Sequence, residues 1–178
     1  MKRISTFRIV ITALFAALIC VATMLVQIPI PATGGYANLG DGIILICAFL
    51  MNPLLAILAA GLGSMLADLL AGYVSFAFGT LVIKAGVACI ASFVFRRWGK
   101  GKSTRQTLVA MIAAGILAEA FMVLGYFTYE AIILGMGLGA AGAIVGNIGQ
   151  GVVGVIVACV VAPVLMRSRE VTELMNRT

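Results

Sequence analysis

The chain has 178 residues, 63% hydrophobic and only 10% charged, with a formal net charge of +6. A mean hydropathy of +1.19 excludes a soluble domain and describes a polytopic membrane protein. The sequence has no histidine, the commonest metal ligand and proton shuttle, and its four cysteines are widely spaced. No metal, redox centre or cofactor is therefore expected.

The length accommodates about six spans of ~20 residues with short connections, all in one membrane domain covering residues 1–178. The expected fold is an all-α membrane protein with six transmembrane helices and both termini cytoplasmic. Span 1 covers residues 7–28. Its Met-Lys-Arg start resembles a signal peptide, but no small-residue cleavage site follows, so the helix is expected to be retained. Pro29 and Pro31 end it, and residues 32–39 read as a loop. Span 2, residues 41–51, stops at Asn52-Pro53. Span 3, residues 54–73, carries Asp68. Residues 72–79 read as a connection bearing Tyr73, Phe76 and Phe78. Span 4, residues 80–95, places Lys84 one turn inside. A basic loop, 96–105, leads to span 5, residues 106–130. The Gly/Ala-rich stretch 133–146 reads as a short helix or a flexible loop. Span 6 covers residues 147–166, and a charged tail follows.

The cations alternate with these spans. Lys2, Arg3 and Arg8 precede span 1; Arg96, Arg97, Lys100, Lys102 and Arg105 lie between spans 4 and 5; Arg167, Arg169 and Arg177 follow span 6. Lys84 is the one lysine or arginine left over. Positive charge collects on the cytoplasmic side, so the termini are expected inside and loops 1–2, 3–4 and 5–6 outside. This distribution explains the net charge by topology and leaves no reason for a nucleic-acid partner.

With that orientation the intramembrane polar residues fall in the outer half. Charged groups inside a bilayer are costly and are functional candidates by default. Glu119, Tyr126 and Glu130 recur 7 and 11 residues apart, which puts them on one helical stripe. Asp68 and Lys84 are expected at matching depth, either as a structural ion pair or as ligand contacts. Asp41 is expected at the outer end of span 2. Asn147 and Gln150 open span 6 on one face and can hydrogen-bond a polar ring. Tyr36, Asn38, Tyr73, Phe76 and Phe78 read as interfacial belt residues or a lid over the site. The inner halves are nearly pure hydrocarbon, which describes a pocket open outside and closed below.

Other features have quieter readings. Cys20, Cys47, Cys89 and Cys159 read as small buried hydrophobes. Ala13 and Ala17, with Ala16 beside them, form a small-residue patch suited to close helix approach, within the chain or onto a partner. Gly146, Gly149, Gly151 and Gly154 serve packing or a pocket floor. Gly99-Lys100-Gly101-Lys102-Ser103-Thr104 ends like a phosphate loop, but Arg96 stands where the first glycine is required and no strand precedes it. The chain thus has no ATPase of its own, no catalytic residues and no metal cluster.

The ordered set of Ala13/Ala17, Leu39-Gly40-Asp41-Gly42, Gly61 to Asp68, Gly72-Tyr73, Ile83-Lys84-Ala85-Gly86, Gly125-Tyr126-Phe127-Thr128-Tyr129-Glu130 and Asn147-x-x-Gln150 resembles the substrate-binding membrane subunits, or S components, of energy-coupling factor (ECF) vitamin transporters. The resemblance runs nearly the whole length and is nearest the hydroxymethylpyrimidine and vitamin B6 branch. It implies high-affinity capture of a small heterocyclic vitamin in an outward pocket capped by loop 1–2. It implies a transmembrane coupling subunit docking on Ala13 and Ala17, two cytoplasmic ATPase subunits, and a prokaryotic cell membrane. It implies toppling of the whole subunit to carry the pocket inside. The expected substrate contacts are Asn38, Asp68, Lys84, Glu119, Tyr126, Glu130, Asn147 and Gln150. Riboflavin or pantothenate are alternative ligands; a self-sufficient secondary transporter or a membrane scaffold are alternative roles.

Overall fold

A computed structural model describes residues 6–99 and 103–176, without the side chains of residues 170 and 174–176. The chain start and the Lys100–Lys102 part of the phosphate-loop-like stretch lie outside the described residues, as does Arg177.

Six helices form the bundle: α1 (Thr6–Leu25), α2 (Gly40–Leu50), α3 (Pro53–Leu70), α4 (Val74–Trp98), α5 (Thr104–Thr128) and α6 (Ile144–Arg167). A short seventh, α7 (Arg169–Asn176), forms the tail. Local chemistry sets several boundaries. Pro53 opens α3, where a missing N–H costs nothing, and the Asn52 side chain accepts from Leu54 N at 3.1 Å. Ser103 and Gln106 form a capping box at the start of α5.

Five helical segments are long and apolar enough to cross a membrane. The remaining one, α2, has 11 residues, about 16 Å of helix, and cannot cross ~30 Å of hydrocarbon alone. Nine of those residues are buried, so α2 is an interior element. The neighbours run α1–α3–α4–α5–α6, and α2 packs among α1, α3, α4 and α6. The outer surface is covered by exposed apolar side chains such as Leu14, Phe93, Val145 and Val160, as suits a face turned to lipid. Among the cysteines, Cys20 and Cys47 are buried, Cys159 is half-buried and Cys89 is exposed, so Cys89 is not the buried hydrophobe expected.

Three departures from the expected all-α layout matter for function. First, residues 27–38 are a β-hairpin rather than the end of a helix and a loop. β1 (Gln27–Ile30) pairs antiparallel with β2 (Gly35–Asn38), Ile30 opposite Gly35. Gly34 closes the turn at φ +69°, where a side chain would be strained. Proline in β1 is compatible with so short an edge ribbon. Second, α4 begins at Val74, absorbing most of the expected 72–79 connection. Lys84 is then ten residues, about 15 Å, from the helix start, far deeper than one turn. Third, α5 passes into a π-helical turn, Tyr129–Ile133, and a 3₁₀ helix, Gly137–Ala143, leads into α6. The stretch 133–146 is thus mostly helical.

Candidate functional site

The C-terminal ends of α1, α3 and α5 and the N-terminal ends of α2, α4 and α6 meet at one end of the bundle. The β1–β2 hairpin lies over them. Almost every buried polar side chain is here: Asp41, Asp68, Thr80, Lys84, Glu130, Asn147 and Gln150 are each 5% exposed or less. The opposite half of the core is hydrocarbon, with Met51, Val87, Ala91, Phe95, Met111 and Ala114.

The centre is an ion pair. Lys84 Nζ donates to Asp41 Oδ1 at 2.6 Å and to Asp41 Oδ2 at 2.8 Å, with both side chains buried. The ammonium also lies 5.4 Å from the centre of the Tyr126 ring, within cation–π range. Gln150 joins the pair: its Nε2 donates to Asp41 Oδ2 at 2.6 Å, and its Oε1 accepts from Asn38 N at 2.7 Å. One glutamine therefore links the buried pair to the last residue of the hairpin. The Asn38 Oδ1 in turn accepts from Gly40 N at 2.9 Å at the start of α2. Gly154 makes the arrangement possible. A methyl there would come within 2.9 Å of Asp41 Cβ, so only glycine lets α6 approach α2 this closely.

A second set of groups lies toward α3 and the hairpin. Tyr36 Oη donates to Asp68 Oδ1 at 2.6 Å, and the Tyr36 ring lies 4.4 Å from Tyr73, which also meets Phe76 edge-on. Burial, reinforced by the Asp68 carboxylate, pushes the Tyr36 hydroxyl well above its ordinary pKa, so it stays a donor. The hydroxyls of Thr80 and Tyr126 are 3.0 Å apart.

These groups enclose one cavity, with Asn38, Asp68, Lys84 and Tyr126 on its walls together with Glu130, Asn147 and Gln150. In this state the space is ≈ 20 Å³, enough for about one water molecule and far below the roughly 300–1,000 Å³ of ligand sites. A ligand can be seated only if a wall moves. The hairpin is the wall held by the Tyr36–Asp68 and Asn38–Gln150 hydrogen bonds and by a small apolar contact of Ile30 and Ala37 with Ala143.

The expected partnership of Asp68 with Lys84 is not formed. Asp68 stands two residues from the end of α3, and its hydroxyl partner comes from the hairpin; Asp41 meets the ammonium instead. Glu119 is also not on the cavity. It lies seven residues, about 10 Å, below Tyr126 and borders an apolar cleft of ≈ 360 Å³ between α5 and α6, against Gly151. Both of its carboxyl oxygens lack a hydrogen-bond partner among the described residues. Of the expected lid aromatics, Phe76 is buried at the cavity, whereas Phe78 is 70% exposed on the outer surface. Ala13 and Ala17 are exposed on α1, while Ala16 packs against Gly63 of α3.

Sequence reasoning left Asp41, Thr23, Ser64 and Thr80 out of the site. Asp41 was one of four candidates: a buried lysine needs an anion, and Asp41, Asp68, Glu119 and Glu130 stand within the apolar segments. The three neutral residues carry no such signal, since a serine or threonine in a membrane helix satisfies itself on the preceding turn.

The same architecture occurs in known proteins. A solved structure of the S component of a bacterial ECF transporter superposes with a TM-score of 0.67, covering 89% of this chain and 95% of that one at 21% identity. An uncharacterized protein from Pyrococcus woesei is 40% identical over 140 residues, 78% of this chain and 88% of that protein. The thiamine precursor transporter HmpT of Lactococcus lactis subsp. cremoris (strain MG1363) is 29% identical over 162 residues, 90% of this chain and 89% of that one. The family described as ECF-type riboflavin transporter, S component, matches residues 3–167. The chain belongs to this family and is a multi-pass membrane S component of a vitamin-uptake transporter.

Proposed function

We propose that this chain is the high-affinity capture subunit of an ATP-driven importer. It binds a small heterocyclic vitamin or precursor, of the pyridoxine, pyridoxamine or hydroxymethylpyrimidine type, in the cavity under the hairpin. The observation that carries this reading is the segregation of the molecule. All six helices bring polar side chains to one end, and among the described residues the other half of the core has no continuous line of buried polar side chains, Ser92 being bonded to Ala48 O. Such a protein can capture but cannot conduct. Release on the far side then needs bodily movement driven by partners, a transmembrane coupling subunit and two cytoplasmic ATPases. Both termini lie in the cytoplasm in this reading, the cavity end faces out of the cell membrane, and α2 completes the count of six by filling the bundle rather than spanning it.

The 29% identity to a thiamine precursor transporter supports a vitamin precursor as substrate. The family's own description favours the larger riboflavin as the second reading. Asn38, Asp68, Lys84, Tyr126, Glu130, Asn147 and Gln150 form the binding region; Glu119 stands outside it. The exposed Ala13 and Ala17 offer a flat strip on α1 to the coupling subunit.

The test is purification of the tagged chain from native membranes. It is expected to retain an ATPase pair and a coupling subunit, and Ala13→Trp is expected to abolish uptake while sparing binding. Uptake that survives ATP depletion and collapses with the proton gradient would instead establish a secondary transporter.

A further inference from the structure

The hydrogen bonds around the cavity fall into satisfied and unsatisfied groups, and the division bears on the ligand. The single cation of the site, Lys84, is committed: Asp41 takes two of its protons, and its remaining side faces the Tyr126 ring. Gln150 is committed at both ends, to Asp41 and to Asn38 N. What remains on the cavity wall includes two free carboxyl oxygens, beside the Asn147 amide and the unpartnered Ser64 hydroxyl, which can donate or accept. Asp68 Oδ2 and Glu130 Oε2 have no hydrogen-bond partner among the described residues, although Asp68 is 3% exposed and Glu130 is 2% exposed. The Thr80 hydroxyl stands beside the Asp68 carboxyl group, and the Thr33 hydroxyl, itself without a hydrogen-bond partner among the described residues, stands beside that of Glu130. Three carboxyl groups therefore share this end of the bundle with one ammonium, and that ammonium is already matched by Asp41.

The geometry points to a ligand that is a hydrogen-bond donor at two places, one of them an amine or protonated nitrogen, received by Asp68 Oδ2 and Glu130 Oε2. This inference rests on the capture reading above and narrows its substrate. An amine on a flat ring meets both demands of the wall: its N–H groups are donors for the free acceptors, and its ring face suits the Tyr36 and Phe76 rings that line the cavity. An anionic vitamin meets neither. It would place a negative charge beside two carboxyl groups, and the only cation that could receive it would first have to leave Asp41. Asp68 and Glu130 are then the specificity-determining residues, and Lys84, which a carboxylate ligand would need, is a positioning residue.

Pyridoxamine, pyridoxal and 4-pyridoxic acid carry an amine, an aldehyde (closed in water largely to a neutral hemiacetal) and a carboxylate on the same ring position, and so vary its charge from positive through neutral to negative. Calorimetric titration of each into the purified chain in lipid nanodiscs is the experiment. Pyridoxamine is expected to bind at least about tenfold tighter than pyridoxal, the size of one charge-assisted hydrogen bond, and the acid not at all. Glu130→Gln and Asp68→Asn keep shape and remove charge. Each, if its thermal midpoint stays at the wild-type value, is expected to shrink the amine-over-aldehyde ratio several-fold. Binding of the acid as tightly as the amine overturns the inference, as does an unchanged ratio in both folded variants. A chain that binds none of the three but binds riboflavin also overturns it, and leaves the importer reading standing. A chain that binds no vitamin and retains no ATPase pair overturns both.

Discussion

Asp41 and Glu130 are buried carboxyl groups at the same end of the same bundle, built in opposite ways. Asp41 receives three hydrogen bonds, two from Lys84 and one from Gln150, and sits at the junction of α2, α4 and α6. Glu130 sits on a π-helical turn at the rim, with one oxygen unpartnered. The difference separates polar groups that hold the site from polar groups left for something else. An unsatisfied buried acceptor costs roughly 1–3 kcal/mol, and on a cavity wall a bound donor can recover it. A satisfied pair is framework. In a low-dielectric bundle, removing one of its members strands the other.

Lys84→Ala should break the contrast most severely. It leaves the Asp41 charge buried without its partner, and stability should fall by about 3–5 kcal/mol, read from thermal unfolding in detergent. A variant as stable as the parent would show that the pair is not framework. Leucine at both positions together should recover much of the loss, because an apolar pair of similar volume carries no desolvation cost.

The hairpin gives a smaller, pH-dependent effect. Tyr36→Phe removes the donor to Asp68 Oδ1 and should cost about 1.5–3 kcal/mol in the closed position of the hairpin, the range for a bond to a charged acceptor. The hydroxyl is held above its ordinary pKa in the folded state. Its contribution is therefore complete below the unfolded value of about 10 and declines as pH rises past it toward the folded value. The stability difference between parent and Tyr36→Phe should be constant from pH 7 to about 9 and shrink only above about 10. A difference that already fades between pH 7 and 9 would place the hydroxyl outside that environment.

Glu119→Gln should do least. Glu119 borders the α5–α6 cleft, so an isosteric neutral side chain should leave vitamin affinity unchanged and shift stability by about 1 kcal/mol or less. A large loss of affinity with retained fold would bring Glu119 back to the binding cavity.

The helical stripe of Glu119, Tyr126 and Glu130 shows how far local pattern reaches. Glu119 and Tyr126 lie on α5 but Glu130 falls on the π-helical turn beyond it, and a stripe about 16 Å long spans two environments. Its upper end meets the hairpin and α6 at the cavity, and its lower end meets Gly151 beside an apolar cleft. The end of the spans at which polar residues gather was legible because hydropathy is a property of consecutive residues, although the depth of Lys84 was not. Which carboxylate Lys84 meets was not, because that depends on which helices are neighbours and how each is rotated.

The sequence by itself therefore determined the membrane character, the positions of the long helices and the gathering of polar residues at one end. Each follows from the cost of placing charge or an unpaired backbone in hydrocarbon, a cost that reads directly from composition and order. Tertiary structure alone decided that residues 27–38 form a β-hairpin over the site, that α2 is an interior helix, and that Asp41 holds Lys84 and Gln150 while Asp68 and Glu130 keep a free oxygen. Most of those outcomes are settled by close approach between distant residues, 43 positions apart for Asp41 and Lys84 and 109 for Asp41 and Gln150, where no local pattern carries information.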